Sequence, residues 1–141
     1  MDIQFVTEGR GDAVAVMAGE GGALLPAAQA LDSAMGGRIA KAASAGRFTG
    51  AAGQVLEILA PEGLDFARLL VIGVGALDRA DGLGVERWAG HAVKRTLASG
   101  AVKLVLQPDS LPSVSKAEAG AHAAFGARLA AYRFDAYRTK L

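Results

Sequence analysis

Apolar and polar positions alternate along this chain in two rhythms. Short runs carrying β-branched residues predict strands at Ile3 to Val6, Ala13 to Met17, Gln54 to Leu59, Arg68 to Val74 and Val102 to Leu106. Arg68 to Val74 is a continuous apolar run with no alternation, the pattern of a strand covered on both faces. Longer stretches with apolar residues three and four apart predict helices at Ala27 to Met35, Arg38 to Ala45, Leu83 to Ser99 and Ser115 to Phe134. In Leu83 to Ser99, Val85, Trp88, Ala89, Ala92, Val93, Thr96 and Leu97 share one face, and Glu86, Arg87, His91, Lys94 and Arg95 fall mostly on the other. In the last helix the expected stripe is Ala121, Phe125, Leu129 and Tyr132.

The punctuation agrees with this division. Gly9-Arg10-Gly11-Asp12, Phe48 to Gly53 and Pro61-Glu62-Gly63 read as turns or irregular edges. Pro26 suits a first helical turn, where its missing N–H costs nothing. Gly36-Gly37, Gly46 and Gly100 are helix stops, and Pro108-Asp109 ends a strand. Ser115 with Glu118 has capping-box spacing. Asp135 to Leu141 reads as a short polar connection. Strands and helices alternate in the second half. The expected fold is α/β: a mixed, mostly parallel sheet with helices on both faces, in one domain spanning 1–141.

Apolar residues make up 52% of the chain, which excludes a disordered polymer. Fifteen basic side chains against fourteen acidic ones leave a net charge of +1, which argues against electrostatic binding to nucleic acid. Nothing approaches the roughly 20 apolar residues of a membrane span, so no membrane partner is expected. The start, Met1 to Val6, has no basic segment of the secretory kind, and the expected location is the cytoplasm. The absence of Cys removes thiol nucleophiles, disulfides and Cys-based metal sites.

Candidate chemistry is sparse. Ile72-Gly73-Val74-Gly75 closes the apolar strand, and Gly73 and Gly75 could bring backbone close to a phosphate. The dinucleotide fingerprint fails because Asp78 stands where its third glycine belongs, and the phosphate-loop pattern ending in Lys and Ser or Thr is absent. Asp78 and Asp81 share the next loop and read as solvated acids. His91 and His122 belong to different helices, without metal-ligand spacing, and Glu118 is placed to pair with His122 one turn on. No G-x-S-x-G nucleophile elbow is present. Trp88 reads as core. Arg128, Arg133, Arg138 and Lys140 give the C-terminal end a cationic bias that also suits a helix dipole.

The run Leu129-Ala130-Ala131-Tyr132-Arg133-Phe134-Asp135-Ala136-Tyr137-Arg138-Thr139-Lys140 resembles a signature of the leucyl aminopeptidase (cytosol aminopeptidase) family, Y-[RK]-F-[DEN]-x-[YF]-[KR]-[ST]-K. Leu70-Val71-Ile72-Gly73-Val74-Gly75 is similar to a strand-and-turn segment of the same domain, and the following helix, with Gly90 and Ala92 to Leu97, takes the equivalent place.

The resemblance implies a two-domain metallo-exopeptidase that removes N-terminal residues from peptides. It places two divalent metals (zinc, manganese or magnesium) in a C-terminal domain bearing the motif N-T-D-A-E-G-R. That motif is not in this chain, so no catalytic or metal residue is expected here. The resemblance further implies that 1–141 is the non-catalytic N-terminal domain, macro-domain-like in fold. Its partners would be its own catalytic domain and neighbouring subunits of a hexamer. Such a domain should expose apolar surface, with Phe134 and Tyr137 as candidates. Two alternatives stay open at this point: a stand-alone macro-type module holding ADP-ribose or a related nucleotide at Gly73 and Gly75, and nucleic-acid binding through the Arg-rich end.

Overall fold

Seven consecutive residues, Ala13–Gly19, form a strand in which every residue is buried. The computed structural model describes the backbone of residues 2–4, 12–61, 63–99 and 103–139, and the side chains of 12–61, 63–98 and 103–133. Within these the strands are β1 (Asp2–Gln4), β2 (Ala13–Gly19), β3 (Ala23–Leu24), β4 (Val55–Leu59), β5 (Arg68–Gly73) and β6 (Lys103–Leu106). The helices are α1 (Pro26–Ala34), α2 (Arg38–Ala45), α3 (Gly82–Ser99) and α4 (Lys116–Thr139).

The sheet order is β1-β6-β2-β5-β4, with β3 paired to β2 off this path. Alternate side chains of β2 enter opposite cores. Ala13, Ala15 and Met17 join Leu70, Ile72, Leu104 and Leu106 under α3 and α4. Val14, Val16 and Ala18 join Leu69, Val71 and Val105 under α1 and α2, against Ala28, Met35, Ile39 and Ala43. Helices therefore cover both faces, as the unbroken apolar run of β5 implied.

The sheet is mixed rather than mostly parallel. β2 runs parallel to β5 and β6, and β6 to β1, but β4 is antiparallel to β5 and β3 to β2. The connection 60–67 is shorter than the dozen or so residues a parallel crossover needs, so β4 and β5 must form a hairpin. Turn residues Gly9 to Gly11, the predicted strand positions Phe5 and Val6, and Val102 lie outside the described residues.

Each helix start is satisfied differently. α1 has no local side-chain cap; instead the Ala27 N–H donates to Asp109 Oδ2 at 3.1 Å, tying the end of β6 to the helix. Asp32 Oδ1 accepts the Ile39 N–H at 2.7 Å and so caps α2 from the preceding helix. Asp81 Oδ1 accepts the Gly84 N–H at 2.9 Å at the start of α3. The capping box of α4 is formed: Glu118 N–H donates to Ser115 Oγ at 3.2 Å, and Ser115 N–H to Glu118 Oε1 at 3.0 Å.

α4 departs from expectation in two ways. It runs on to Thr139, through the segment read as a connection. Its expected apolar stripe also faces outward: Phe125 is 56% exposed and Tyr132 71% exposed. The buried side is small, with Ala119, Ala123 and Ala127. The reason is the seam with α3. A Cβ on Gly126 would lie 2.2 Å from Glu86 O, one on Gly82 2.4 Å from His122 Nε2, and one on Gly90 3.9 Å from Ala130 Cβ. All three pairs are forty positions apart, so the helices run parallel with glycine and alanine between them. Large side chains do not fit such a seam and are displaced to the outer surface.

Two glycines of α4 separate packing from propensity. Gly126→Ala must push against the α3 backbone and is expected to destabilise by about 1–3 kcal/mol. Gly120 has open space around its would-be Cβ, and Gly120→Ala is expected to stabilise by up to about 1 kcal/mol. Urea denaturation checks both as midpoint shifts of opposite sign at constant slope.

Candidate functional site

β2 leads into α1 and α2 on one face of the sheet, and the neighbouring strand β5 leads into α3 on the other. Adjacent strands whose connections leave over opposite faces open a crevice at their C-terminal ends. A cleft of about 930 Å³ lies there, bounded by Gly73 to Ala76, the loop around Ala51 and Gly53, and Arg79, Arg87 and His91.

The glycines of this cleft lace three loops together. Gly73 N–H donates to Gln54 O at 2.9 Å, Gly53 N–H to Gly73 O at 3.0 Å, and Gly75 N–H to Gly50 O at 2.9 Å. Glu20 N–H reaches Gly75 O at 2.9 Å, and the Gly21 and Gly22 amides share Thr49 O. The Gln54 carboxamide oxygen accepts from Thr49 N–H, Thr49 Oγ1 and Gly50 N–H, all within 3.0 Å. A Cβ at Gly73 would lie 2.2 Å from Ala51 O, and Gly75 sits at φ +77. Gly73 is glycine because backbone approaches backbone there, and Gly75 because its φ is positive. Their amides are occupied within the protein, so they form no phosphate cradle, and the ADP-ribose alternative gains no support at Gly73 and Gly75.

Other sequence candidates are also accounted for. Asp81 caps α3 and Asp78 is exposed, so the two acids form no working pair. Trp88 is buried and its Nε1–H donates to Val16 O at 3.0 Å, anchoring α3 to β2. His122 does not pair primarily with Glu118, which is engaged in the capping box and only feels its charge weakly. Its Nδ1 lies 2.7 Å from Glu86 Oε2 across the α3–α4 seam. The +40 register brings these two residues together, whereas spacing within one helix pointed to Glu118. His91 stands beside Gly53 in the cleft; burial, and then the charge of Lys94, hold its imidazole below the usual value. Asp109, not singled out from sequence as a functional group, is pushed up from the usual carboxylate range by burial, opposed by the Ala27 amide and Lys116. Its partner is 82 positions away, and no local pattern announces such a pair.

Arg128 and Arg133 are exposed on α4, while the side chains of Phe134, Tyr137, Arg138 and Lys140 lie outside the described residues. A second hollow, of about 610 Å³, runs between α3 and α4. Among the described residues no group of three or more His, Asp or Glu side chains could hold a metal ion. The donor set for two-metal chemistry, which needs clustered carboxylates, is therefore not assembled by these residues.

Fold and site together define a three-layer α/β/α domain in which no group of three or more His, Asp or Glu side chains among the described residues is placed to hold a metal ion. A family model described as "Cytosol aminopeptidase family, N-terminal domain" matches residues 13–141. The chain belongs to this family, as its N-terminal domain. It is 48% identical over 143 aligned residues to a probable cytosol aminopeptidase of Caulobacter vibrioides, covering 99% of this chain and 28% of that protein. It is 43% identical over 107 residues to a probable cytosol aminopeptidase of Rhodopseudomonas palustris strain BisA53, covering 72% of this chain and 20% of that one.

Among solved structures, a mutant of the tomato leucine aminopeptidase matches in fold with a TM-score of 0.68 at 22% identity, over 92% of this chain and 27% of that one. The bottromycin maturation enzyme BotP in complex with Mn matches with a TM-score of 0.64 at 26% identity, over 92% and 25%. The chain thus spans under a third of the length of these curated relatives and solved structures.

The sign of the His91 shift makes a prediction. Its folded pKa lies below the ordinary imidazole value of about 6.5, so the folded state favours the neutral ring. That contribution to stability is present above the ordinary value and is lost as pH falls through the lowered one. His91→Gln is expected to lose less stability than the parent between pH 8 and pH 5. Urea midpoints at the two pH values check this, and equal losses would refute it.

Proposed function

We propose that residues 1–141 act as the non-catalytic assembly and interaction domain of a leucyl aminopeptidase. The chemistry belongs to a second, C-terminal domain. There, two divalent metal ions (zinc, manganese or magnesium) activate the water that releases N-terminal amino acids from peptides. The observation that carries the reading is the contrast between a family match over nearly the whole chain and the unassembled donor set of its described residues. The relatives' greater length supports a further domain, and the Mn in the BotP complex supports a metal in it.

The domain's partners in this reading are its own catalytic half and the neighbouring copies of a hexamer. The N-terminal domain would be macro-like in layering. The location is cytoplasmic; in support, the relatives are named cytosol aminopeptidases, and no described helix is long and apolar enough to cross a membrane.

Two assays test the proposal. The purified chain, given leucine p-nitroanilide with Mn²⁺, Zn²⁺ or Mg²⁺, is expected to match the blank; chelator-sensitive hydrolysis would overturn the reading. A chimera carrying this chain in place of the N-terminal domain of the Caulobacter relative is expected to hydrolyse the anilide and to assemble like that relative. An inactive chimera of the wrong mass would count equally against it.

A further inference from the structure

The two helical layers end in different outer surfaces. The outer side of α1 and α2 exposes Gln29, Ser33, Arg38, Lys41 and Ser44, with no large apolar residue exposed among those described. The outer side of α3 and α4 carries Leu83, Phe125 and Tyr132, three of the four large hydrophobics exposed among the described residues. Leu83 and Leu129 line the hollow between the helices together with Arg87, Lys94 and Arg133. Of the described acids of these helices, Glu86 lines the same hollow and pairs with His122, and Glu118 is held by Ser115, so three cations face one carboxylate there. A chain of nearly neutral net charge therefore presents one apolar face whose rim is cationic.

We propose that this α3–α4 face is the docking surface for the catalytic half of the full-length protein, through an apolar patch rimmed by carboxylates. The inference rests on the functional reading above and adds where the contact lies and what chemistry the partner surface has. Apolar area of this kind favours a protein partner, and an excess of cations around it favours an acidic rim. In the longer relatives the matched domain is N-terminal, so the polypeptide that follows it leaves from the end of α4, the helix bearing the patch. That tether holds the two halves at high effective concentration.

The test uses the same chimera with the photo-crosslinking residue p-benzoylphenylalanine in place of Phe125, and in place of Leu59 on β4 as a control. Irradiation is expected to join position 125 to an acidic peptide of the catalytic half, identified by mass spectrometry. Arg87→Glu combined with Arg133→Glu is expected to cut that yield about tenfold. Products on the N-terminal domain of a second copy, on added RNA or on anionic vesicles would overturn the proposal, as would a yield no higher than the Leu59 control. Anilide hydrolysis by the chimera is read separately. An active chimera with no such crosslink refutes the docking face alone, whereas hydrolysis by the isolated chain refutes the functional reading.

Discussion

The constraint on which the rest depends is the burial of β2 on both faces. A strand without a solvent side needs an apolar layer above and below it and a hydrogen-bonded neighbour on each edge. β5 and β6 supply the edges, α3 with α4 one layer, and α1 with α2 the other. Trp88 secures the first layer by filling the core with its ring and giving its N–H to the Val16 carbonyl. Asp109 secures the second by closing the open end of α1 from the loop that follows β6. An unpaired indole N–H or helix amide in these positions would carry a desolvation cost of roughly 1–3 kcal/mol.

That architecture also explains how the glycines beside the cleft are used. At the C-terminal ends of β2 and β5, glycines let three loops approach to hydrogen-bonding distance, and their amides bind one another's carbonyls. The Gly53, Gly73 and Gly75 amides are thereby committed to carbonyls of the protein rather than offered to a phosphate. The edge of the sheet is braced in a similar way: Glu57 on β4 meets Arg68 on β5 and Arg95 on α3. Among the described residues, exposed apolar side chains lie beside cations on the outside of α3 and α4. Three of the four large apolar residues exposed among those described, Leu83, Phe125 and Tyr132, lie on that helical layer, and the fourth, Leu59, lies on β4.

Much of the fold was legible from residue patterns. All four helices and the strands β2, β4, β5 and β6 fall where periodicity and punctuation placed them, and the capping box at Ser115 and Glu118 forms as spaced. The two-residue strand β3 was not foreseen, because so short a bridge has no pattern of its own. A mixed sheet is found as expected, but it is not mostly parallel, since β3 and β4 run antiparallel to their neighbours, and for β4 the shortness of 60–67 holds that information. The Gly-x-Gly at the end of β5 points to ligand chemistry when read locally, whereas Gly73 answers a backbone contact with Gly50 and Ala51, and Gly75 a positive φ, that no local reading exposes.

The helix pair shows most clearly where reading ends. Sequence by itself determined that α4 is a helix, where it starts, and that it carries a stripe of large apolar residues, because capping and a 3.6-residue period are local properties of the chain. Which side of α4 faces inward was decided only in three dimensions. α3 approaches so closely that Gly126 must lie on the Glu86 backbone, and that contact turns Phe125 and Tyr132 to solvent and brings His122 to Glu86. Interhelical distance is a property of two segments and the sheet beneath them, so neither segment alone encodes it.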